Sequence, residues 1–201
     1  MIQEKKASRG RPKKFDRNHV LDIAQQSYWK LGINKVSINE LCKLADVSKP
    51  GIYREFGDED GLRHAVLERY EKTILGPMLS ALRLDTPFNE TLQNLALHST
   101  SEDETSEMPK GCLFTNMKES RLNLGESTSD QIDKTYENVL KAFERWIDGA
   151  KEKGEFKTTD MDSRFAAVYI YAQISFAQSQ MMKGETSEHV RAILQVALSV
   201  F

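Results

Sequence analysis

The stretch SINELCKLADVSKPGIYREF, from Ser37 to Phe56, decides the fold of the N-terminal part of this chain. It predicts two short helices joined by a tight turn. Ser37 with Glu40 three residues later forms a capping box, which starts the first helix. Ser48 is a suitable cap for the second helix, and Pro50 in its first turn costs little because no N–H is needed there. Two capped helices this close together are typical of a helix-turn-helix.

The second of these helices has one apolar and one polar face. Ile52 and Phe56, which are four residues apart, are expected to face the core. Lys49, Tyr53 and Arg54 then face outward, where they can bind phosphates or base edges. A glycine in the first turn allows close approach of a DNA backbone, and free N–H groups at a helix start bind phosphate. The predicted DNA-contacting residues of the pair are Ser37, Ser48, Lys49, Pro50, Gly51, Tyr53 and Arg54. The alternative is a helical hairpin that only packs in a bundle.

The N-terminal segment is basic, although the whole chain has a net charge of −2. Residues 1–56 hold 12 Lys and Arg against 6 Asp and Glu, which indicates a polyanionic partner at this end. Within the arm SRGRPKK, the run Arg9-Gly10-Arg11-Pro12 resembles the AT-hook core, which enters a narrow minor groove. We expect DNA contacts from the arm through Arg9, Arg11, Lys13 and Lys14. The alternative is a disordered solubilising tail, whose lysines would still attract phosphates.

The composition is that of a soluble globular protein of 201 residues, with 39% hydrophobic and 29% charged residues. No apolar run approaches the roughly 20 residues of a membrane span, and no secretory signal is recognised. Cys42 and Cys112 lie far apart without metal-binding spacing, which indicates reduced thiols in the cytoplasm. The chain also lacks a P-loop or dinucleotide motif. We therefore expect no enzyme activity, no metal and no cofactor. A small enzyme with a Cys112–His98 pair is an alternative that no local motif supports.

Several residues around this segment form an ordered pattern that resembles the TetR family of transcriptional regulators. The pattern consists of Ala24, Tyr28, Gly32, Ser37-Ile38, Leu41, Ala45-x-Val47-Ser48, Ile52-Tyr53-x-x-Phe56 and Leu62. The later motif GCLFTN, Gly111 to Asn116, is similar to one found in a branch of the family's regulatory domains. Two positions depart from the family: Asp46 replaces a common turn glycine, and Glu59 replaces a lysine that often contacts phosphate. We do not expect that phosphate contact here.

The resemblance implies an all-α fold of about nine helices, and helical periodicity along the chain agrees with it. We predict a flexible basic arm at 1–13, a DNA-binding domain at 14–74 with its helix-turn-helix at 37–56, and an effector-binding and dimerisation domain at 75–201. Further helices are expected at 88–99, 111–123, 127–153 and 160–183, with a last one ending near 201. Gly76 and Pro77 should break or kink the fourth helix.

The C-terminal part is expected to bind a small-molecule effector. Cys112 follows Gly111 at a predicted helix start, where the helix dipole lowers the pKa of a thiol. This position suggests a sensor of electrophiles or oxidants, and the alternative is a small apolar core residue. Aromatic stripes in this part are more often core than pocket, yet a pocket between helices is the usual place for a ligand. The candidate effector-binding residues are Cys112, Asn116, Phe143, Trp146, Tyr169, Gln173 and Phe176, with Gln178 as a further polar candidate.

The last two predicted helices have more apolar surface than one bundle requires. Phe165, Val168, Ala172 and Phe176, with the stripe from Val190 to Phe201, predict a four-helix interface with a second copy. Such a homodimer would place two recognition helices about 34 Å apart on a double-stranded DNA operator. These features together predict a transcriptional repressor that an effector releases from its operator. A pure protein-interaction module is the remaining alternative, which leaves the basic arm unexplained.

Overall fold

The computed structural model describes residues 15–82, 85–101, 108–158 and 160–201. These residues form α-helices connected by short loops and contain no strand. The helices are α1 (Arg17–Leu31), α2 (Ile38–Leu44), α3 (Lys49–Phe56), α4 (Glu59–Tyr70), α5 (Gly76–Ser80), α6 (Phe88–Ser99), α7 (Leu113–Glu119), α8 (Glu126–Glu152), α9 (Ser163–Lys183) and α10 (Ser187–Leu198). The predicted all-α class is confirmed.

Each of the first four helices begins at a side chain that its own sequence supplies. Asp16 accepts hydrogen bonds from two backbone N–H groups of α1, and Asp58 accepts one from Gly61 of α4. The serines predicted from the sequence cap the two helices between them. Gly32 ends α1 with a positive φ of 94°, a conformation that costs glycine little. Local sequence therefore sets the boundaries of this part.

The fourth helix does not end at Gly76 and Pro77. A π-helical turn, Glu71–Leu75, joins α4 to α5, so the helical backbone continues to Ser80. Pro77 has no N–H to donate and its ring crowds the preceding turn, which the wider π-turn accommodates. With α4, this turn and α5 taken as one interrupted helix, the described residues contain nine helices, in agreement with the expected number.

The larger part packs around the long helix α8. This helix lies against α4 on one side and α9 on another, while α10 packs on α9 and α6. The ring of Trp146 stacks on Phe88 with centroids 4.5 Å apart, and Phe156 and Phe201 surround Phe88. The single helix expected over 111–123 is instead the short α7 followed by a 3-10 turn, Arg121–Asn123. No helix among the described residues is long and apolar enough to cross a membrane.

Candidate nucleic-acid interface and effector cavity

The α2–α3 pair is held by two serine caps and one unusual turn residue. The Oγ atom of Ser37 accepts a hydrogen bond from the Glu40 backbone, and Ser48 does the same for Gly51, each at 3.2 Å. Asp46 in the turn between the helices has a φ of 53°. This left-handed conformation is one that aspartate tolerates better than most residues. Asp46 therefore stands in for the glycine that the family often has at this turn.

The outer face of α3 carries a compact cationic and aromatic group. The Lys49 Nζ atom lies 5.2 Å from the centre of the Tyr53 ring, while Arg54 and Pro50 are exposed. Ile52 on the opposite side is fully buried, as expected. Ser37 and Ser48 are exposed, and each hydroxyl keeps its hydrogen available for a phosphate oxygen because the cap uses only an oxygen lone pair. The structure thus brings six of the seven predicted residues of the pair to the surface.

Gly51 is the exception, because it lies on the buried side of α3. A Cβ atom at this position would lie 3.4 Å from the Phe15 ring and 3.2 Å from the Ser48 Oγ atom. The Phe15 ring is thus at ordinary contact distance and Ser48 Oγ is the closer neighbour, so Gly51 faces the interior, and its contact with a DNA backbone stays a prediction. Phe15 and Arg17 also contact Phe56, and Arg17 forms an ion pair with Glu55 at 3.2 Å. These contacts fasten α3 to the start of α1.

The four predicted arm residues, Arg9, Arg11, Lys13 and Lys14, lie outside the described residues.

The carboxylates of the acidic run after α3 have three structural roles, of which the sequence identified only the cap at Asp58. Asp58 caps α4, and Glu59 lies 3.7 Å from the guanidinium of Arg63. The Tyr53 hydroxyl donates to the Glu59 carboxylate over 3.4 Å, a long hydrogen bond. Asp60 reaches across to α8. The run is acidic because intramolecular contacts use its carboxylates.

Asp60 supplies the N-terminal cap that α8 lacks in its own sequence. Its carboxylate accepts from the backbone N–H of Ser127 at 2.9 Å and of Thr128 at 3.3 Å, the second and third residues of α8. The Thr128 hydroxyl also contacts this carboxylate. A Cβ at Gly125 would come within 2.2 Å of it, so any larger residue there would displace the Asp60 carboxylate from the cap. A signal existed in the sequence, because the residue directly before Glu126 is Gly125, whose position offers no capping side chain.

A cavity of about 720 Å³ opens between α1, the α4–α5 region, α6, α9 and the loop before α7. Its apolar walls include Ile74, Met78, Leu82 and Leu95, and Cys112 lines one end. This volume lies within the usual range of small-molecule sites. The described residues contain no cluster of His, Cys, Asp or Glu that could hold a metal ion.

Cys112 occupies the position before the first residue of α7 and is 6% exposed. Its Sγ atom lies 3.3 Å from the Tyr70 hydroxyl. Burial raises the pKa of Tyr70 well above its usual value, and the nearby Cys112 sulfur raises it further. Tyr70 is therefore a neutral phenol that can donate a hydrogen bond to the sulfur.

The other six predicted effector residues do not line this cavity. Phe143 and Trp146 are buried in the aromatic core, and the Tyr169 hydroxyl donates to the backbone of Ala197 at 2.9 Å. Asn116 accepts from the Ile33 backbone N–H at 3.2 Å and so joins α7 to the end of α1. Gln173 and Phe176 lie on α9 away from the lining. Large aromatic side chains filled the core because close packing buries the most apolar area. Gln178, the further polar candidate, does line the cavity.

An apolar surface on α9 and α10 has no covering residues within the described chain. Phe176 is 45% exposed and Val196 is 74% exposed. The same surface includes Phe165, Val168, Ala172, Ile193 and Val200, all exposed. Val190, Leu194 and Leu198 face inward instead, so the predicted stripe is divided between core and surface.

Comparisons with known proteins find similarity to bacterial regulators. A family model described as bacterial regulatory proteins, tetR family, matches residues 20–66, which include α2 and α3. The repressor ComR of Escherichia coli is 43% identical over 65 residues, and the repressor BdcR of the same organism is 33% identical over 90 residues. These alignments cover 32% and 44% of this chain, and they span only 31% of ComR and 46% of BdcR.

The fold of the whole chain is similar to that of the TetR-family regulator CifR. A cysteine mutant of CifR, complexed with 26-bp double-strand operator DNA, superposes with a TM-score of 0.77 at 21% identity. The match covers 96% of this chain and 100% of CifR. This likeness shows that the two chains share an overall fold.

Proposed function

We propose that this chain, which belongs to the TetR family of bacterial regulatory proteins, is a homodimeric DNA-binding transcriptional repressor without enzyme activity. It acts in the cytoplasm and binds a double-stranded operator. Residues 14–74 are proposed as its DNA-binding domain, residues 1–13 as a basic arm that contacts DNA, and residues 75–201 as its effector-binding and dimerisation domain. Binding of an effector in the larger domain releases the repressor from the operator.

The exposed face of α3 is the observation that carries this proposal. Lys49, Tyr53 and Arg54 lie on a helix whose opposite side is anchored by Ile52. A helix presented this way can enter a major groove, with Lys and Arg bound to phosphates or guanine edges. Ser37, Ser48 and Pro50 lie at the helix starts, where hydroxyl and N–H groups can hold the phosphates on either side.

The second copy of the chain is proposed to bind the apolar surface on α9 and α10. Exposed Phe165, Phe176 and Val196 would be covered by the same surface of the partner in a four-helix arrangement. An interface of this type fixes the distance between the two α3 helices. An effector can shift that distance only if it binds one dimer geometry better than another.

The cavity next to Cys112 is the proposed effector site, and Cys112 is proposed to react with electrophiles there. The thiol lines the cavity and the Tyr70 hydroxyl can stabilise negative charge on its sulfur. Replacement of Cys112 by Ser should leave DNA binding intact and abolish release by a thiol-alkylating reagent. Cys42→Ser is the matched control, and persistent release in Cys112→Ser would make Cys112 a structural residue.

An electrophoretic shift on the DNA upstream of its own gene tests the regulator proposal. We expect a shift that is selective for sequence and weakens as salt rises. Lys49→Ala should lower the salt slope by about two, one for each copy in the dimer, whereas Lys183→Ala, a charge removed at the end of α9, should not. A chain that shows no sequence-selective shift is not the proposed repressor.

The arm is proposed to bind A·T-rich minor grooves beside the operator. Removal of residues 1–13 should weaken binding most on operators with A·T flanks. Equal affinity of the full and shortened chains on both A·T-rich and G·C-rich flanks would reject this role.

A further inference from the structure

Two polar atoms in the cavity wall have no hydrogen-bond partner among the described residues. They are Nε1 of Trp29 and Oγ1 of Thr91, in residues that are 3% and 7% exposed. Buried polar groups are nearly always paired in proteins, and a buried indole N–H usually finds an acceptor. Both unpaired atoms belong to residues that line the same cavity. A molecule bound in this cavity is one source of the hydrogen-bond partners that these two atoms lack.

The chemistry of Trp29 restricts what that molecule can be. An indole N–H is a donor only, so its partner must present an acceptor atom. A primary ammonium group has no acceptor and cannot serve, whereas the Thr91 hydroxyl can both donate and accept. The described part of the lining contributes no carboxylate, and it includes His98 and Lys110. An oxygen of a carbonyl or carboxylate group meets these conditions.

The rest of the lining restricts the body of the molecule. Ile74, Met78, Leu82 and Leu95 form apolar walls. Burial of an apolar body against them supplies most of the binding free energy, while the polar group fixes its orientation. The volume of about 720 Å³ suits a compact molecule of small-ligand size.

We propose that the effector is a compact apolar molecule with a carbonyl or carboxylate oxygen, which accepts hydrogen bonds from Trp29 and Thr91. The inference rests on the proposed function, because it specifies the ligand of that site. It adds a direct contact with the DNA-binding part: Trp29 lies in the last turns of α1, within the residues matched by the family model.

This contact joins the ligand to two helices of the DNA-binding part at once. The Trp29 ring meets the Tyr70 ring edge-on at 5.1 Å, and Tyr70 is the last residue of α4. A molecule bound at Trp29 therefore contacts α1 directly. It is coupled to α4 through the contact between the Trp29 and Tyr70 rings. This binding is reversible and does not require a reaction at Cys112.

Three probes with one apolar cage and different polar groups test the inference: adamantane carboxylate, adamantane carboxamide and adamantylammonium. Calorimetric titration into the full chain should show that the carboxylate and the carboxamide bind and that the ammonium binds at least tenfold more weakly. Equal affinity of the ammonium probe, or no binding of the carboxylate at millimolar concentration, would overturn the inference.

The two tryptophans of the chain provide a spectroscopic readout. Trp146 stacks on Phe88 away from the cavity lining, so in a Trp146→Phe variant all indole emission comes from Trp29. These probes do not absorb in the indole range. The carboxylate should move the emission of Trp146→Phe to longer wavelength and leave that of Trp29→Phe unchanged. An unshifted Trp29 emission at saturation would contradict the hydrogen bond.

Variants of the two wall residues test the contacts directly. Trp29→Phe keeps an aromatic ring on Tyr70 and removes the N–H, which should lower the carboxylate affinity roughly tenfold. Thr91→Val has nearly the same shape and should lower it several-fold. Unchanged affinity in both variants would refute the contacts. If circular dichroism shows that Trp29→Phe is unfolded, the affinity of Thr91→Val and the emission shift of Trp146→Phe test the contacts instead.

The titrations use DNA-free protein, so they separate this inference from the regulator proposal. Failure of the operator shift alone would remove the repressor function and leave the ligand chemistry standing. If only the selectivity among the three probes were absent, the proposed carbonyl or carboxylate ligand would be rejected and the DNA-binding proposal would stand.

Discussion

The first four helices and the later helices differ in where their N-terminal caps come from. Asp16, Ser37, Ser48 and Asp58 each cap the helix that follows them in sequence. Among the later described helices only α9 has such a side chain, Asp162. The long helix α8 receives its cap from Asp60 on α4. The N-terminal part is thus encoded locally, whereas the C-terminal part depends on contacts between distant residues.

The substitution Gly125→Ala is expected to have the largest effect and tests whether α8 depends on a cap from a distant residue. The new Cβ would overlap the Asp60 carboxylate, so the cap must move away from α8. We expect the free energy of unfolding to fall by about 3 kcal/mol, from steric strain and loss of the cap. Urea denaturation measures it.

A double-mutant cycle is the control for Gly125→Ala. In an Asp60→Ala background the clash is gone, so Gly125→Ala should cost much less than in the natural chain. Strictly additive effects of the two substitutions would show that Gly125 and Asp60 do not interact.

Asp60→Ala alone should lower the free energy of unfolding by about 2 kcal/mol, because two N–H groups of α8 lose their acceptor. Asp58→Ala, which removes a local cap, should cost about 1 kcal/mol. Hydrogen exchange locates the effects: Asp60→Ala should accelerate exchange at Ser127 and Thr128, and Asp58→Ala at Gly61. Faster exchange confined to α4 in both variants would remove the distinction between local and distant caps.

Ser48→Ala should cost about 1 kcal/mol of unfolding free energy, because α3 loses the acceptor for the Gly51 N–H. Ser48→Asn is the matched control, since asparagine caps helices as well as serine does. Thermal or urea unfolding of the three proteins checks the order. A stable Ser48→Ala protein would mean that α3 is held by Ile52 and Phe15 alone.

Glu59→Gln has the smallest expected effect and concerns the operator. The substitution removes a negative charge beside the Tyr53 hydroxyl and retains an oxygen that can accept its hydrogen bond. We expect DNA affinity to rise about threefold at low salt and much less at high salt, because exposed charges are screened. Fluorescence anisotropy with a labelled operator at two salt concentrations measures it. An equal change at both would point to altered packing.

The difference between local and distant caps also explains which parts of the structure could be predicted from the sequence. Ser37, Ser48 and Asp58 were identifiable as caps because a cap and its helix are adjacent in sequence. The inward side of Ile52 followed from its spacing to Phe56, and the left-handed Asp46 agrees with its place at a turn where related proteins often have glycine. The burial of Gly51 could not be foreseen, because its neighbour Phe15 lies far outside the short motif.

The candidate effector site was predicted poorly for a physical reason. Periodicity identifies which face of a helix is apolar, but not whether that face meets another helix or a cavity. Phe143 and Trp146 therefore could not be separated from cavity residues, and Trp29, in the first helix, was not considered at all. Cys112 does line the cavity, and its role there remains a proposal.

The Asp60–Gly125 contact also limits how regulators of this type can be recombined. Exchange of residues 14–74 for the matching segment of a related protein would replace the α2–α3 pair and remove Asp60 together with it. The N–H groups of Ser127 and Thr128 in the retained α8 would then lack an acceptor. Gly125, whose small size accommodates the Asp60 carboxylate, could not replace it. A functional hybrid must therefore carry an acid at position 60, or a capping residue in place of Gly125.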